Sequence, residues 1–125
     1  MSHFTKIDTK ILDVTALLAA CAELGFDVTE NAEARGYGSN RRRGRYVINL
    51  NGPYDVAVNR TDAGEWELET DLWGGHVEKE LGKDLGRLRQ TYAVQKTTAE
   101  ARRRGLRVRR KNLGDGRIRL ALSGV

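Results

Sequence analysis

One cysteine and two histidines stand among the 125 residues of this chain. A lone thiol, Cys21, excludes an internal disulfide and suits a reducing compartment. Cys21, His3 and His76 show none of the spacings that hold a metal. Neither histidine sits in a motif that would activate the thiol as a nucleophile, and the place of Cys21 among apolar residues at helical spacing marks it as a packed core residue. No apolar run approaches the roughly 18 residues of a membrane-spanning helix, and the opening stretch lacks the apolar core of a signal peptide. The expected location is therefore cytoplasmic, with no membrane contact. Gly36-Tyr37-Gly38 and Gly114-Asp115-Gly116 do not continue into a phosphate-loop or dinucleotide signature. Asp62-Ala63-Gly64-Glu65 lacks the remaining ligands of a calcium loop. These absences leave no residue to nominate as catalytic, cofactor-binding or metal-ligating.

Charge is plentiful and uneven. Residues 46–86 hold three basic residues and nine acidic ones, a balance of −6; residues 87–125 hold twelve basic residues against Glu100 and Asp115, a balance of +10; residues 1–45 add +1. A strongly positive end attracts a polyanion or an acidic protein surface over about a Debye length, ~8 Å at physiological salt. An apolar share of 39% and a charged share of 31% suit a thin two-layer fold with a large wet surface. The length fits a single domain, 1–125, that buries about two thirds of its unfolded surface and needs no metal or disulfide to hold it.

Periodicity divides the chain into an α+β order, β-α-(β)-β-β-β-α-β-β: a mainly antiparallel sheet of about six strands with two helices packed on one face. His3 to Ile11 reads as a strand with Thr5, Ile7, Thr9 and Ile11 on one side. Asp13 is placed to N-cap a helix whose Val14, Leu17, Leu18, Cys21 and Leu24 share a face, and Gly25 to end it. Phe26 to Val28 reads as a short strand. Periodicity then vanishes, which predicts an exposed basic loop over about 31–44. Tyr46, Ile48 and Leu50, then Tyr54, Val56 and Val58, then Trp66, Leu68 and Thr70 alternate as a three-stranded meander. Val77, Leu81, Leu85, Leu88 and Tyr92 predict a second helix over about 77–104, in which Gly82 and Gly86 mark a close neighbour or a break. Gly105 is placed to cap it. A final hairpin sets Leu106 and Val108 on one strand and Ile118, Leu120 and Leu122 on the other.

Several segments, taken in order, resemble one family. They are the opening Met-Ser-His-Phe-Thr-Lys-Ile-Asp-Thr-Lys-Ile, Asp13-Val14-Thr15-Ala16-Leu17, Glu23-Leu24-Gly25-Phe26-Asp27, Arg35-Gly36-Tyr37, Tyr46-Val47-Ile48, Tyr54-Asp55-Val56, Glu67 to Leu72, Gln90-Thr91-Tyr92-Ala93 and Asp115 to Leu120. Together they resemble the uncharacterised hypothetical-chloroplast-reading-frame 35 family (domain of unknown function 1257), over nearly the whole chain. The resemblance implies no activity, cofactor or active-site residue. It implies an accessory role beside a ring-forming ATPase, because genes of the family often lie near genes of such ATPases.

Arginine supplies the candidate sites. In the final hairpin, Arg107 and Arg109 oppose Leu106 and Val108, while Arg117 and Arg119 oppose Ile118 and Leu120. One reading is a platform for phosphate or carboxylate groups, which guanidinium forks match with paired hydrogen bonds. The other is neutralisation by Glu65, Glu67, Glu69 and Asp71, an acidic ladder of the same period, should the strands be neighbours. Arg41, Arg42, Arg43 and Arg45 form a second basic group that either orders on an anionic partner or keeps a loop solvated. Tyr37 and Tyr46 flank it, and Tyr46 belongs to the sheet core, leaving one ring for base stacking. Trp73, beside Gly74 and Gly75, is either an exposed interface anchor or a cap on the core.

Three functions compete on these residues. The first is a non-enzymatic adaptor that docks an acidic protein surface, such as a ring-forming ATPase, through Arg41, Arg42, Arg43, Arg45, Trp73, Arg107, Arg109, Arg117 and Arg119. The second is nucleic-acid binding through the same basic residues, without the paired stacking aromatics that such proteins usually carry. The third is an enzyme with an unfamiliar site, which a deep pocket around His3, His76 or Cys21 would favour.

Overall fold

A computed structural model describes residues 3–124. Strand β1 (Thr5–Ile11) leads into helix α1 (Val14–Glu23), and four strands follow: β2 (Asp27–Arg35), β3 (Arg41–Asn49), β4 (Val56–Arg60) and β5 (Trp66–Thr70). Helices α2 (His76–Leu81) and α3 (Gly86–Arg103) precede the hairpin β6 (Arg107–Asn112) and β7 (Ile118–Ser123). Strands β1 to β5 form one antiparallel sheet in the order β1-β5-β4-β3-β2, and β6 pairs with β7 in a second, two-stranded sheet. The fold is α+β, mainly antiparallel with helices on one face of the sheet, as expected; the strands divide into a sheet of five and a separate two-stranded ribbon.

Local chemistry sets the helix ends. Asp13 accepts the Ala16 N–H at 3.1 Å as the α1 N-cap. Beyond α1, Gly25 adopts φ +83° while the Phe26 and Gly25 N–H groups bond back to Cys21 and Ala22 carbonyls, a Schellman closure. Gly105 closes α3 in the same way, with Leu106 and Gly105 bonded to Ala101 and Arg102. The Tyr92 hydroxyl on α3 accepts the Leu12 and Asp13 N–H groups, tying α3 to the start of α1.

The segment expected as a helix over 77–104, with a close neighbour or a break marked by Gly82 and Gly86, is two helices. Gly82 breaks it at φ +84°, ψ 166°, a region open essentially to glycine alone. The chain then turns through left-handed Asp84 and Leu85 before α3 begins. The apolar series survives the break: Val77, Leu81, Leu85 and Leu88 are fully buried and Tyr92 nearly so. They pack with Leu17, Ala20 and Cys21 of α1 on the sheet residues Ile48, Val56, Val58 and Leu68.

The loop expected over 31–44 is instead the far half of a long hairpin. β2 and β3 pair from Asp27↔Asn49 to Arg35↔Arg41, leaving residues 36–40 as the turn. The sequence signal is faint because only small residues, Ala32, Ala34 and Gly44, are covered there, and the hairpin also changes face. Asn31 is left-handed at φ +49°. Before it, Val28 packs into the main core with Tyr46 and Ile48; beyond it, Ala32 and Ala34 join Val47, Ala57 and Phe4 on the opposite side of the sheet. Gly44, opposite Ala32, has no room for a side chain: a Cβ there would lie 3.2 Å from the Val58 nitrogen and closer still to the Tyr46 carbonyl.

Candidate recognition surfaces

The ribbon β6–β7 is tethered to the helices from one side. Arg110 grips Glu23 of α1 through two hydrogen bonds of 2.9 and 2.8 Å, and the Gln90 amide on α3 donates to the Gly116 carbonyl at 2.7 Å. That pairing with Arg110 holds the Glu23 carboxyl below its ordinary range, against a smaller opposing effect of burial. Val108, Ile118 and Leu120 share the side of Arg110 and are half-buried.

Opposite residues of an antiparallel pair point the same way, so the register fixes the other face. Arg107 opposes Ser123, Arg109 opposes Ala121 and Lys111 opposes Arg119. Four cations therefore share the outward face, with about 6.8 Å between successive members on one strand. Among the described residues none of the four makes an ion pair, and no acid lies on that face. Lys111 and Arg119 stand directly opposite each other, a like-charge pair that costs stability. Arg117 departs from expectation: it lies before β7 and is held by Asp115 in the turn at 2.7 Å. Lys111 takes its place on the platform. Its shared parity with Arg107 and Arg109 was the available signal.

Glu67, Glu69 and Asp71 of the acidic ladder are satisfied within the large sheet, and β5 is not a neighbour of the ribbon, so the expected alternative of neutralisation by the ribbon does not occur. β5 lies between β1 and β4. Glu67 meets Lys6 of β1 and Glu69 meets Arg42 of β3, each at 3.4 Å. Asp71 is fully buried and accepts the N–H groups of Tyr37 and Trp73, both at 3.0 Å.

The arginines of the β2–β3 hairpin are fixed rather than carried on a mobile loop. Arg41 donates to the Gly38 and Asn40 carbonyls of its own turn. Arg42 reaches Glu69 and lies over the Phe4 ring at 5.6 Å. Arg43 donates to the Asn31 carbonyl, and Arg45 donates to the Asn31 side chain and lies over the Tyr46 ring. Carbonyl and amide acceptors carry no counter-charge, so Arg41 and Arg45 add positive charge to this surface, while Arg43 stands opposite Glu33 in the register and Arg42 is paired with Glu69.

A second surface forms where sequence reasoning saw only single rings. Trp73, 52% exposed, and Tyr37, 46% exposed, meet edge-on with centroids 5.1 Å apart. Asp71 grips the backbone of both, which fixes their spacing. His76 lies next to Trp73 and stands edge-on to Tyr54 at 5.3 Å. Beneath, Arg35 forks onto Asp55 with two bonds of 2.8 Å and donates to the Leu50 and Gly52 carbonyls. Burial pushes the Asp55 carboxyl up, but the Arg35 fork and the Arg35 and Leu50 N–H groups outweigh it and hold the group below its ordinary range. Cys21 lies buried in the core, its thiol pushed up to about 12 by desolvation. No group of three or more His, Cys, Asp or Glu suited to a metal occurs among the described residues, and no helix among them is long and apolar enough to cross a membrane.

These features define a small α+β protein whose open features are a cationic β-ribbon and a braced aromatic pair. The chain belongs to the DUF1257 family, proteins of unknown function, whose profile matches residues 20–121. No curated protein and no solved structure matches it.

Proposed function

We propose that this protein is a non-enzymatic adaptor that docks an acidic protein partner through the outward face of its carboxy-terminal ribbon. The observation that carries the reading is the set Arg107, Arg109, Lys111 and Arg119 on one face with no acid beside them among the described residues. A surface that keeps two cations directly opposed without a counter-charge gains from an external carboxylate cluster. The Tyr37–Trp73 pair supplies a rigid aromatic anchor of the type that dominates protein interfaces. Arg41 and Arg45 add charge on the β2–β3 hairpin. A ring-forming ATPase is the partner that the family resemblance suggests, and the cytoplasm is the expected compartment.

A second reading has one observation in its favour. A two-stranded ribbon fits the major groove of duplex DNA, and here it presents a face whose charges are all positive. One experiment separates the two. Tagged protein is incubated with nuclease-treated and untreated lysate, and the captured material is compared with that taken by a variant carrying Arg107→Ser, Arg109→Ser, Lys111→Ser and Arg119→Ser. The adaptor reading expects a defined protein that survives nuclease and is lost with the variant. Capture that disappears with nuclease supports the nucleic-acid reading, and capture indifferent to the variant sinks both.

A further inference from the structure

Among the described residues the two sheets leave four free strand edges: β1 and β2 on the larger, β6 and β7 on the ribbon. An unpaired edge is a template for another strand, and proteins guard such edges with charges, kinks or irregular register. β1 carries Lys6, Asp8 and Lys10, and its register slips between Ile7 and Ile11. β2 carries Asp27, Glu30 and Glu33 and is interrupted by left-handed Asn31. β6 carries Arg107, Arg109, Arg110 and Lys111. β7, Ile-Arg-Leu-Ala-Leu-Ser, has one charge, Arg119, and runs in unbroken register against β6. Among the described residues it alone is unguarded. On its helix-facing side Leu122 remains 46% exposed, so the apolar stripe of the ribbon continues past its own cover. A ribbon of two strands is marginal in water, and further strands with an apolar face stabilise it.

We propose that the edge of β7 receives β7 of a second copy of this chain, fusing two ribbons into one four-stranded antiparallel sheet. The strand is self-complementary. Pairing centred on Leu120 sets Ile118 against Leu122 of the second copy, Leu120 against its own equivalent, and Leu122 against Ile118, all on the apolar side. The same pairing sets Arg119 against Ala121, so no like charges meet across the seam. A slip of one residue would bring apolar positions opposite outward ones, which the pleat forbids. A foreign strand would have to bring this same alternation, which the chain already carries. The two-fold axis of such a pairing stands perpendicular to the sheet, so both copies place their helices on one side. The opposite side then carries Arg107, Arg109, Lys111 and Arg119 twice, one continuous cationic platform. The inference goes beyond the adaptor reading and is measured with no partner present, so either can fail without the other.

Sedimentation equilibrium of the full chain tests it, at about 100 μM protein so that a micromolar dimer is populated, in moderate salt that screens the ribbon charges. The expected particle has twice the 14.0 kDa chain mass. Ala121→Lys places a cation opposite Arg119 of the second copy, and Leu122→Lys places one in the apolar seam at a position already exposed. Each is expected to weaken the dimer by about tenfold or more, with circular dichroism confirming that the fold is kept. Arg109→Ser on the guarded strand leaves the dimer intact. Leu120→Cys is expected to cross-link on mild oxidation, with buried Cys21 left unreacted. A monomer at this concentration, or a dimer insensitive to both lysine variants, overturns the proposal.

Discussion

Asp55 and Asp71 are two buried carboxylates with different work. Asp71 bonds the backbone of Tyr37 and Trp73, so it organises a surface. Asp55 holds Arg35, and Arg35 in turn holds the Leu50 and Gly52 carbonyls, so that pair fastens the end of β2 to the loop before β4. Asp55 releases its proton more readily in the fold than an unfolded aspartate does. Its contribution to stability is therefore complete above the ordinary carboxylate pKa of about 4 and is lost as pH falls through the lower folded value. Glu23, held low by Arg110, acts in the same direction. Urea midpoints measured from pH 7 down to about pH 3 should fall in the acid limb. Asp55→Asn should lower the midpoint at pH 7 and flatten the acid decline. An acid limb equally steep in the variant would assign the loss to other groups.

Gly82 decides the shape of the helical layer. Its backbone at φ +84°, ψ 166° suits glycine, and a Cβ there would lie 3.0 Å from the Arg87 nitrogen and 3.3 Å from its Cβ. Gly82→Ala should cost about 1–3 kcal/mol from the backbone region alone, while Gly86→Ala should be near neutral or stabilising, because Gly86 is helical and a Cβ there meets nothing within 4 Å. Thermal unfolding of the two variants side by side checks the contrast; equal losses would contradict it. The sequence showed both glycines, the caps at Asp13, Gly25 and Gly105, and the apolar series from Val77 to Tyr92, because each is a local signal of spacing or backbone freedom. It hid the far half of the β2–β3 hairpin, because the covered positions beyond left-handed Asn31 are only Ala32, Ala34 and Gly44, set among Arg41, Arg42, Arg43 and Arg45, and no large apolar residue marks a strand there. Arg107, Arg109 and Arg119 were legible as one face by their period of two. Arg117 was not, because Asp115 captures it within the turn. The Tyr37–Trp73 contact joins residues 36 apart in sequence through Asp71, and only the closed fold brings them together.

At the scale of the whole molecule, charge is sorted rather than cancelled. Glu67, Glu69 and Asp71 are matched by Lys6, Arg42 and backbone donors of the larger body, while the ribbon keeps its surplus outward. Folding stability and recognition should therefore oppose each other at the ribbon. Lys111 faces Arg119 across the strands. Lys111→Glu turns a repulsive cross-strand pair into an attractive one, and at an exposed site this should raise Tm by roughly 1–3 °C. The same change lowers the charge of the outward face by two and sets a carboxylate where the partner's acids would lie, so affinity for an acidic partner should fall by about tenfold or more. Binding by the unaltered chain should also weaken as salt rises. A duplex partner would show the steeper dependence, with a log–log slope near −3 to −4 for about four phosphate contacts. Calorimetry and binding measured on the same Lys111→Glu preparation supply the decisive pair of numbers. A variant that is more stable and binds less well means that the opposed cations are kept for a partner at the expense of the fold. One that is more stable and binds as before would mean that the ribbon face is bystander surface and that recognition lies elsewhere, with the Tyr37–Trp73 pair as the next place to cut.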